Sequence, residues 1–170
     1  MERILNNMRK PISNYEILKM IDTNIINYDD LKNYSRLDDL FKNDSVVLLI
    51  PPPKGSQCGH WVCLVRLPKN NSVFYHDSYG RKPDPDMYLD GRYPYLSKLL
   101  YESPYNLFYN EYDYQADSMS TCGRHCVVFI LMMKAGESLE NYHKLMKSFR
   151  NDDELVTIIS TLMKKAKNLI

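Results

Sequence analysis

The hydrophobic positions change period several times along the chain, and each change marks an element. Ile17, Leu18 and Ile21 recur at helical spacing behind the pair Ser13 and Glu16. That pair is a capping-box signature, in which each side chain satisfies the other's exposed backbone N–H. The spacing predicts a helix from about Asn14 to Asp22. NYDDLKNYSRLDDLF, from position 27, reads as one or two short helices. SVVLLI is a continuous apolar run rich in β-branched residues and stopped by Pro51, Pro52 and Pro53, which predicts a buried strand over Val46 to Ile50. HWVCLVRL (60–67), the turn-like PKNN and SVFYHD (72–77) predict a β-hairpin that is apolar on both faces and therefore central in a sheet.

Glycine and proline then crowd YGRKPDPDMYLDGRYP (79–94), which reads as a surface loop with little regular structure. Pro94 suits the first turn of a helix reaching about Tyr101. LFYNEYDY supplies a further strand and QADSMST a loop. CGRHCVVFILMMKAG is apolar all round, so it predicts a buried helix ending near Gly136. Two amphipathic helices, about Leu139 to Phe149 and Asp153 to Asn168, follow. Helices flanking a small sheet whose strands are grouped mid-chain argue for an α+β fold. No internal repeat or low-complexity segment is evident.

At 170 residues the chain suits one domain, taken as 1–170, with a substantial core. Lys+Arg (22) nearly balance Asp+Glu (21), so no global field would draw the protein onto nucleic acid or an anionic membrane. Lys164, Lys165 and Lys167 form a basic group that reads as a solvated helix end. No apolar run reaches the length of a signal peptide or a membrane span, so a soluble, reducing compartment without secretion is expected. Four cysteines (Cys58, Cys63, Cys122, Cys126) in such a chain point to catalysis, metal binding or burial rather than a disulfide framework.

Cys122 carries the sharpest chemistry. Capped by Ser120 or Thr121, it falls in the first turn of the buried helix, where free N–H groups and the macrodipole favour a thiolate. Gly123, lacking a Cβ, would let a substrate backbone come close. Candidate bases are His60, His76, His125 and His143. If the hairpin turn is even-numbered and centred on Lys69 and Asn70, Val62 faces Asp77. His60 then lies diagonally from Asp77 on the same sheet face, within reach of it, while His76 points to the other face. His125 is left as a polar helix residue or an alternative base, and His143 as a solvated surface group. Gln115 is close enough in sequence to curl over Cys122 and offer its amide to an oxyanion.

GHW at 59–61, YHDSYG at 75–80, Gln115 and STCG at 120–123 together resemble the adenain and SUMO-protease superfamily of cysteine proteases, which share the order His, Asp, Gln, Cys. The separations of 17 residues from His60 to Asp77 and seven from Gln115 to Cys122 are similar to those of the adenovirus maturation protease, and the small size looks more like that viral maturation branch, with its virophage and Polinton-type enzymes. The resemblance covers roughly residues 45–135. It implies an adenain-like fold with the nucleophilic cysteine at the N-terminus of a buried helix. It also implies a thiol endopeptidase in which His60, Asp77, Gln115 and Cys122 are catalytic and Trp61 and Gly123 line a cleft favouring small residues such as glycine. Its substrate would be a capsid or core precursor, met in the host cytoplasm or virus factory or inside the virion, and the enzyme would be a monomer needing no metal or other cofactor. Activation through a tethered cysteine does not carry over, because no cysteine lies between Cys63 and Cys122. A peptide or DNA activator stays open.

Two alternatives stand beside this reading. The same site would serve a protease that deconjugates ubiquitin or a SUMO-like modifier. A zinc-stabilised binding module would draw ligands from CGHWVC and CGRHC. Alternation along a strand sends His60 and Cys63 to opposite faces, however, and Cys126 on a buried helix reads as core. Asp84 and Asp86, in the proline-rich loop, read as turn-solvating residues.

Overall fold

The computed structural model describes residues 2–52, 55 and 58–167, the side chain of Lys167 excepted. Pro53 as a strand stop, the Lys167 side chain of the basic group and Asn168 as a helix end lie outside the described residues. Among the described residues five strands make one mixed sheet in chain order: β1 (Asn24–Asn27), β2 (Ser45–Ile50), β3 (His60–Leu67), β4 (Ser72–His76) and β5 (Asn106–Tyr109). The outer pairs β1–β2 and β4–β5 are parallel, and the inner pairs β2–β3 and β3–β4 antiparallel. Around the sheet lie α1 (Glu2–Met8), α2 (Asn14–Met20), α3 (Asp86–Leu89), α4 (Tyr95–Tyr101), α5 (Cys122–Lys134), α6 (Leu139–Ser148) and α7 (Asp152–Lys167), with 3-10 turns at Tyr28–Asn33, Leu37–Leu40 and Pro68–Asn70. This is the expected α+β architecture.

The hairpin register is the one on which the site depends. Residues 68–71 separate the strands, Leu67 faces Ser72 and Cys63 faces His76, so the ladder carried one step further sets Val62 opposite Asp77. Asn71 closes the turn in the left-handed region at φ 48°, a conformation asparagine tolerates better than most residues.

Alternation then divides the core in two. Trp61, Cys63 and Val65 pack with α5 and with Tyr142, Met146, Leu155 and Val156. Val62, Leu64, Val73 and Tyr75 pack on the other face with Tyr28, Leu31, Leu40, Leu96 and Leu99. In α5 every residue from Cys122 to Ile130 is buried, as an all-round apolar helix requires. Removing a side chain such as Phe129 from water is worth roughly 1.5–3 kcal/mol.

The capping box of α2 is present in both directions, Ser13 N–H donating to Glu16 Oε2 (3.0 Å) and Glu16 N–H to Ser13 Oγ (3.3 Å). Glu16 also receives Lys164 Nζ at 2.7 Å, so that lysine of the basic group is paired rather than merely solvated. The 79–94 segment is more ordered than expected. It contains α3, and Asp84, instead of solvating a turn, accepts the backbone N–H of Ser97 at 2.7 Å and caps α4 from a distance. The strand expected over residues 107–114 stops at Tyr109, because Asn110 leaves the ladder for another partner. Neither α1 nor β1 was expected. Asn24–Asn27 holds only two apolar residues, too few to establish a period, and its pairing with β2 supplies what its sequence lacks.

Candidate active site

His60 opens β3 and Asp77 directly follows β4, so both stand at one end of the sheet. His60 Nε2 lies 2.8 Å from Asp77 Oδ1; 13% of the His60 side chain meets solvent and none of Asp77 does. A dry acid thus backs a reachable base.

Asp77 is held from several sides. Its Oδ1 also accepts the Tyr79 N–H (2.9 Å), and its Oδ2 accepts the Tyr88 hydroxyl (2.6 Å). Asn110 clamps its backbone, accepting the Asp77 N–H at 3.1 Å and donating to its carbonyl at 2.7 Å. Gly80 closes the turn after it, donating its N–H to Asp77 O at 2.8 Å. A side chain at Gly80 is excluded twice over, by a φ of +66° and by the Tyr112 carbonyl carbon 2.7 Å from where a Cβ would stand. Burial pushes the Asp77 carboxyl up, but the hydrogen bond and charge of His60 and the donors from Tyr88 and Tyr79 outweigh it and hold the group below its ordinary range.

Cys122 is the first residue of α5 and only 7% exposed. Strand alternation assigns His60 and Asp77 to the face opposite α5. The sheet ends there, which lets the thiol meet the imidazole around its rim. Burial opposes a charge on His60, yet its hydrogen bonds to Asp77 and Cys122 carry its pKa up to about 9. With Nε2 on Asp77, Nδ1 is the ring nitrogen left for the thiol.

Thr121 occupies the cap position of α5 but forms no side-chain cap. Its hydroxyl donates instead to Asp153 Oδ1. Asp153, 2% exposed in the first turn of α7, also accepts the Ala116 N–H at 3.0 Å and lies 3.3 Å from His125 Nε2. One carboxylate therefore ties the loop before Cys122 to the helix that carries it. His125, fully buried in this pairing, stands as a structural partner of Asp153 rather than a second base. Gln115 is buried, its Oε1 accepting the Ser78 hydroxyl and its Nε2 donating to Met119 O, both at 2.7 Å. One of its two amide hydrogens is thereby engaged.

The two residues that the resemblance implies for the cleft are closely packed. Over Gly123 lies Ile12: a Cβ there would stand 2.7 Å from Ile12 Cγ1 and 3.1 Å from Trp61 Cδ1. Trp61, 8% exposed, donates Nε1–H to Ile12 O at 3.3 Å and packs into the core beneath Cys122. Both residues support the helix that begins at Cys122 through close packing.

Of the other histidines, His76 is fully buried, stacked 4.4 Å from Phe129, and burial lowers its pKa to about 3. His143 is not simply solvated: it stacks on Tyr112 at 3.6 Å and its Nδ1 lies 2.9 Å from Tyr114 Oη. Cys58 is exposed, while Cys63 and Cys126 are buried, Cys63 Sγ lying 3.8 Å from Cys126 O. Among the described residues no three His, Cys, Asp or Glu side chains converge as metal ligands, and no helix is long and apolar enough to cross a membrane.

Sequence reasoning missed Asn110, Tyr88 and Asp153. Asn110 closing a strand was the one available signal, since asparagine readily bonds backbone. A cavity of about 990 Å³, lined by Arg66, Phe74, Phe108, Lys134 and Leu139 among others, lies at the turn end of the hairpin, away from this chemistry.

No protein-family model matches the chain. The uncharacterized protein V9 of Sputnik virophage is 34% identical to it over 170 residues, covering 88% of this chain and 93% of V9. Among solved structures, the chain is similar to the SUMO protease Ulp1 with its catalytic cysteine oxidized to a sulfenic acid (TM-score 0.50, 16% identity, 93% of this chain and 79% of that one). The same enzyme with a sulfinic acid superposes at a TM-score of 0.49 and 16% identity, covering 94% and 80%.

Proposed function

The chain belongs to the family of the virophage protein V9 and has the fold of the adenain and SUMO-protease superfamily, and from that premise we propose that it is a cysteine endopeptidase acting through Cys122. The observation that carries the reading is the position of His60, whose Nε2 lies 2.8 Å from Asp77 Oδ1 while the Cys122 thiol is near enough to help raise its pKa. A nucleophile, a base and an orienting acid in series are what acyl transfer through a thiol requires.

In this reading His60 receives the Cys122 proton, which its raised pKa favours near neutral pH, and Sγ forms a bond to the substrate carbonyl carbon. The remaining amide hydrogen of Gln115 and the Cys122 backbone N–H hold the oxyanion. When the C–N bond breaks, His60 returns the proton to the departing amine. Water, deprotonated by His60, then hydrolyses the thioester and frees the thiol. Asp77 keeps the imidazole aimed throughout. The substrate class we favour is a viral capsid or core precursor cut beside small residues such as glycine, in the host cytoplasm or virus factory or in the virion, by a monomeric enzyme. The likeness in fold to a SUMO protease supports the alternative of a ubiquitin- or SUMO-like substrate.

Digestion of a proteome-derived peptide library, read by mass spectrometry, tests the activity. The wild type should produce cuts clustered beside small residues, and Cys122→Ala none. Equal cleavage by Cys122→Ala would remove the assignment. Covalent capture by a SUMO or ubiquitin carrying a C-terminal electrophile, with no cleavage of unfolded peptides, would move the substrate to the modifier class.

A further inference from the structure

The 79–94 segment, read from sequence as an irregular surface loop, sends two side chains to the His60–Asp77 pair. Tyr88, on α3, donates its hydroxyl to Asp77 Oδ2 at 2.6 Å. Behind it, Arg81 Nη1 donates to Tyr88 Oη at 2.9 Å.

The direction of this chain of bonds is unambiguous. A guanidinium only donates, so the Tyr88 oxygen must accept from Arg81 and its hydrogen must point at Asp77. The length is that of a charge-assisted O–H···O⁻ bond. The rings add a second constraint. His60 packs on Tyr79 (centroids 5.0 Å) and on Tyr88 (5.4 Å), and the Arg81 guanidinium lies 4.7 Å and 5.2 Å from those same two rings.

Asp77 is hydrogen-bonded by His60 from β3, by Tyr88 from α3 and by the Tyr79 N–H and Asn110, and its charge is also felt by Arg81, by Tyr75 and His76 of β4 and by Cys126 of α5. Both Oδ1 donors leave Oδ2 to Tyr88. Without that hydroxyl, a carboxylate that meets no solvent would hold one oxygen unsatisfied, and turning toward another donor would take Oδ1 off His60.

We propose that Tyr88, oriented by Arg81, is a positioning residue of this site: it anchors the second oxygen of Asp77 so that the first stays on the His60 imidazole while Cys122 reacts. The proposal rests on the cysteine-protease reading and adds to it a residue from a segment outside the His, Asp, Gln, Cys pattern.

The test is the rate of Cys122 alkylation by iodoacetamide between pH 5 and 9, located by mass spectrometry, beside thermal melts. The variants are His60→Ala, Asp77→Asn, Tyr88→Phe, Arg81→Gln and the double Tyr88→Phe with Asp77→Asn. Tyr88→Phe keeps the ring against His60 and removes only the hydroxyl. It should slow labelling near neutral pH about tenfold, the loss of one hydrogen bond to a charged group, and should lower the melting temperature by a few degrees, since a buried carboxylate oxygen loses its donor. Arg81→Gln should act in the same direction and more weakly. In the Asp77→Asn background Tyr88→Phe should have no further effect, since non-additivity marks a residue acting through another.

Wild-type labelling in Tyr88→Phe with impaired labelling in His60→Ala would overturn the Tyr88 assignment and leave the protease reading standing. An equal slowing by Tyr88→Phe with and without Asp77 would also overturn it, showing a packing effect. Wild-type labelling in His60→Ala would remove the reading and this inference together. Should Tyr88→Phe not fold, Arg81→Gln with and without Asp77→Asn makes the same comparison with both rings in place.

Discussion

Asn110 exchanges two hydrogen bonds with the backbone of Asp77, accepting its N–H at 3.1 Å and donating to its carbonyl at 2.7 Å. The asparagine thus continues the pairing of β4 and β5 by one step, with a side chain in place of a strand. It fixes where Asp77 sits just beyond the last residue of β4, and a third bond, from Asn110 Nδ2 to Tyr112 O at 3.1 Å, turns the chain toward Gln115.

Replacing Asn110 by alanine should leave the buried Asp77 N–H unsatisfied and take one of two donors from its C=O, which keeps only the Gly80 N–H. The expected cost is about 2–4 kcal/mol, read as a fall of roughly 5–15 °C in melting temperature. Cys122 alkylation should slow as well, since the carboxylate that aims His60 loses its backbone anchor. A variant that melts lower but labels at the wild-type rate would restrict the clamp to a structural role.

Two glycines near the site should respond differently to alanine. At Gly123 the new methyl would press on Ile12 Cγ1 and Trp61 Cδ1, which are side-chain atoms, and overpacking of this kind costs about 1–3 kcal/mol. At Gly80 it would meet the backbone of Tyr112 and Asp113 in a left-handed conformation, so the loss should be larger. Adding Ile12→Ala should recover stability in Gly123→Ala and none in Gly80→Ala, which paired melting curves would show.

The His60 pKa is raised to about 9, above the value near 6.5 of an unfolded histidine. The linked stability is therefore complete below about pH 6.5 and lost as pH rises through about 9. Thermal melts from pH 6 to 10 should show the wild type losing stability over that window. With Asp77→Asn the main raising partner is gone and burial dominates, so the fall should disappear.

Asp153 should matter at the other end of the pH scale. Burial raises its carboxyl, but the donors from His125, Thr121 and Ala116 outweigh it and hold the group below its ordinary range. Its contribution is complete above the unfolded value near pH 4 and lost as pH falls through the lower folded value. Asp153→Ala should cost about 3 kcal/mol near neutrality, and should melt with a shallower acid dependence than wild type. Equal acid profiles for the two proteins would count against a charged Asp153.

Much of this arrangement could be read from residues alone, because it follows from local rules. Ser13 and Glu16 cap α2 through each other, and three residues of separation is all that bond needs. The four residues between Leu67 and Ser72 fix the parity of the hairpin, and parity alone decides that His60, not His76, shares a face with Asp77. The unbroken apolar run after Cys122 demands a buried helix, and a helix beginning there places the thiol at its N-terminus.

What only the tertiary structure decided depends on groups far apart in sequence, whose meeting no local period encodes. Thr121 turns from capping α5 to Asp153, 32 positions later, because a buried carboxylate accepts a hydroxyl proton more strongly than a neutral partner does. Ile12, 111 positions earlier in the chain, packs over Gly123 so closely that a Cβ there would stand 2.7 Å from its Cγ1. Tyr88 reaches Asp77 from a segment whose prolines and glycines suggested no structure, since a loop is ordered by the bonds its side chains find rather than by propensity. Sequence determined which face of the sheet His60, His76 and Asp77 take and where the Cys122 helix begins; long-range packing and the need to satisfy buried polar groups decided what holds them there.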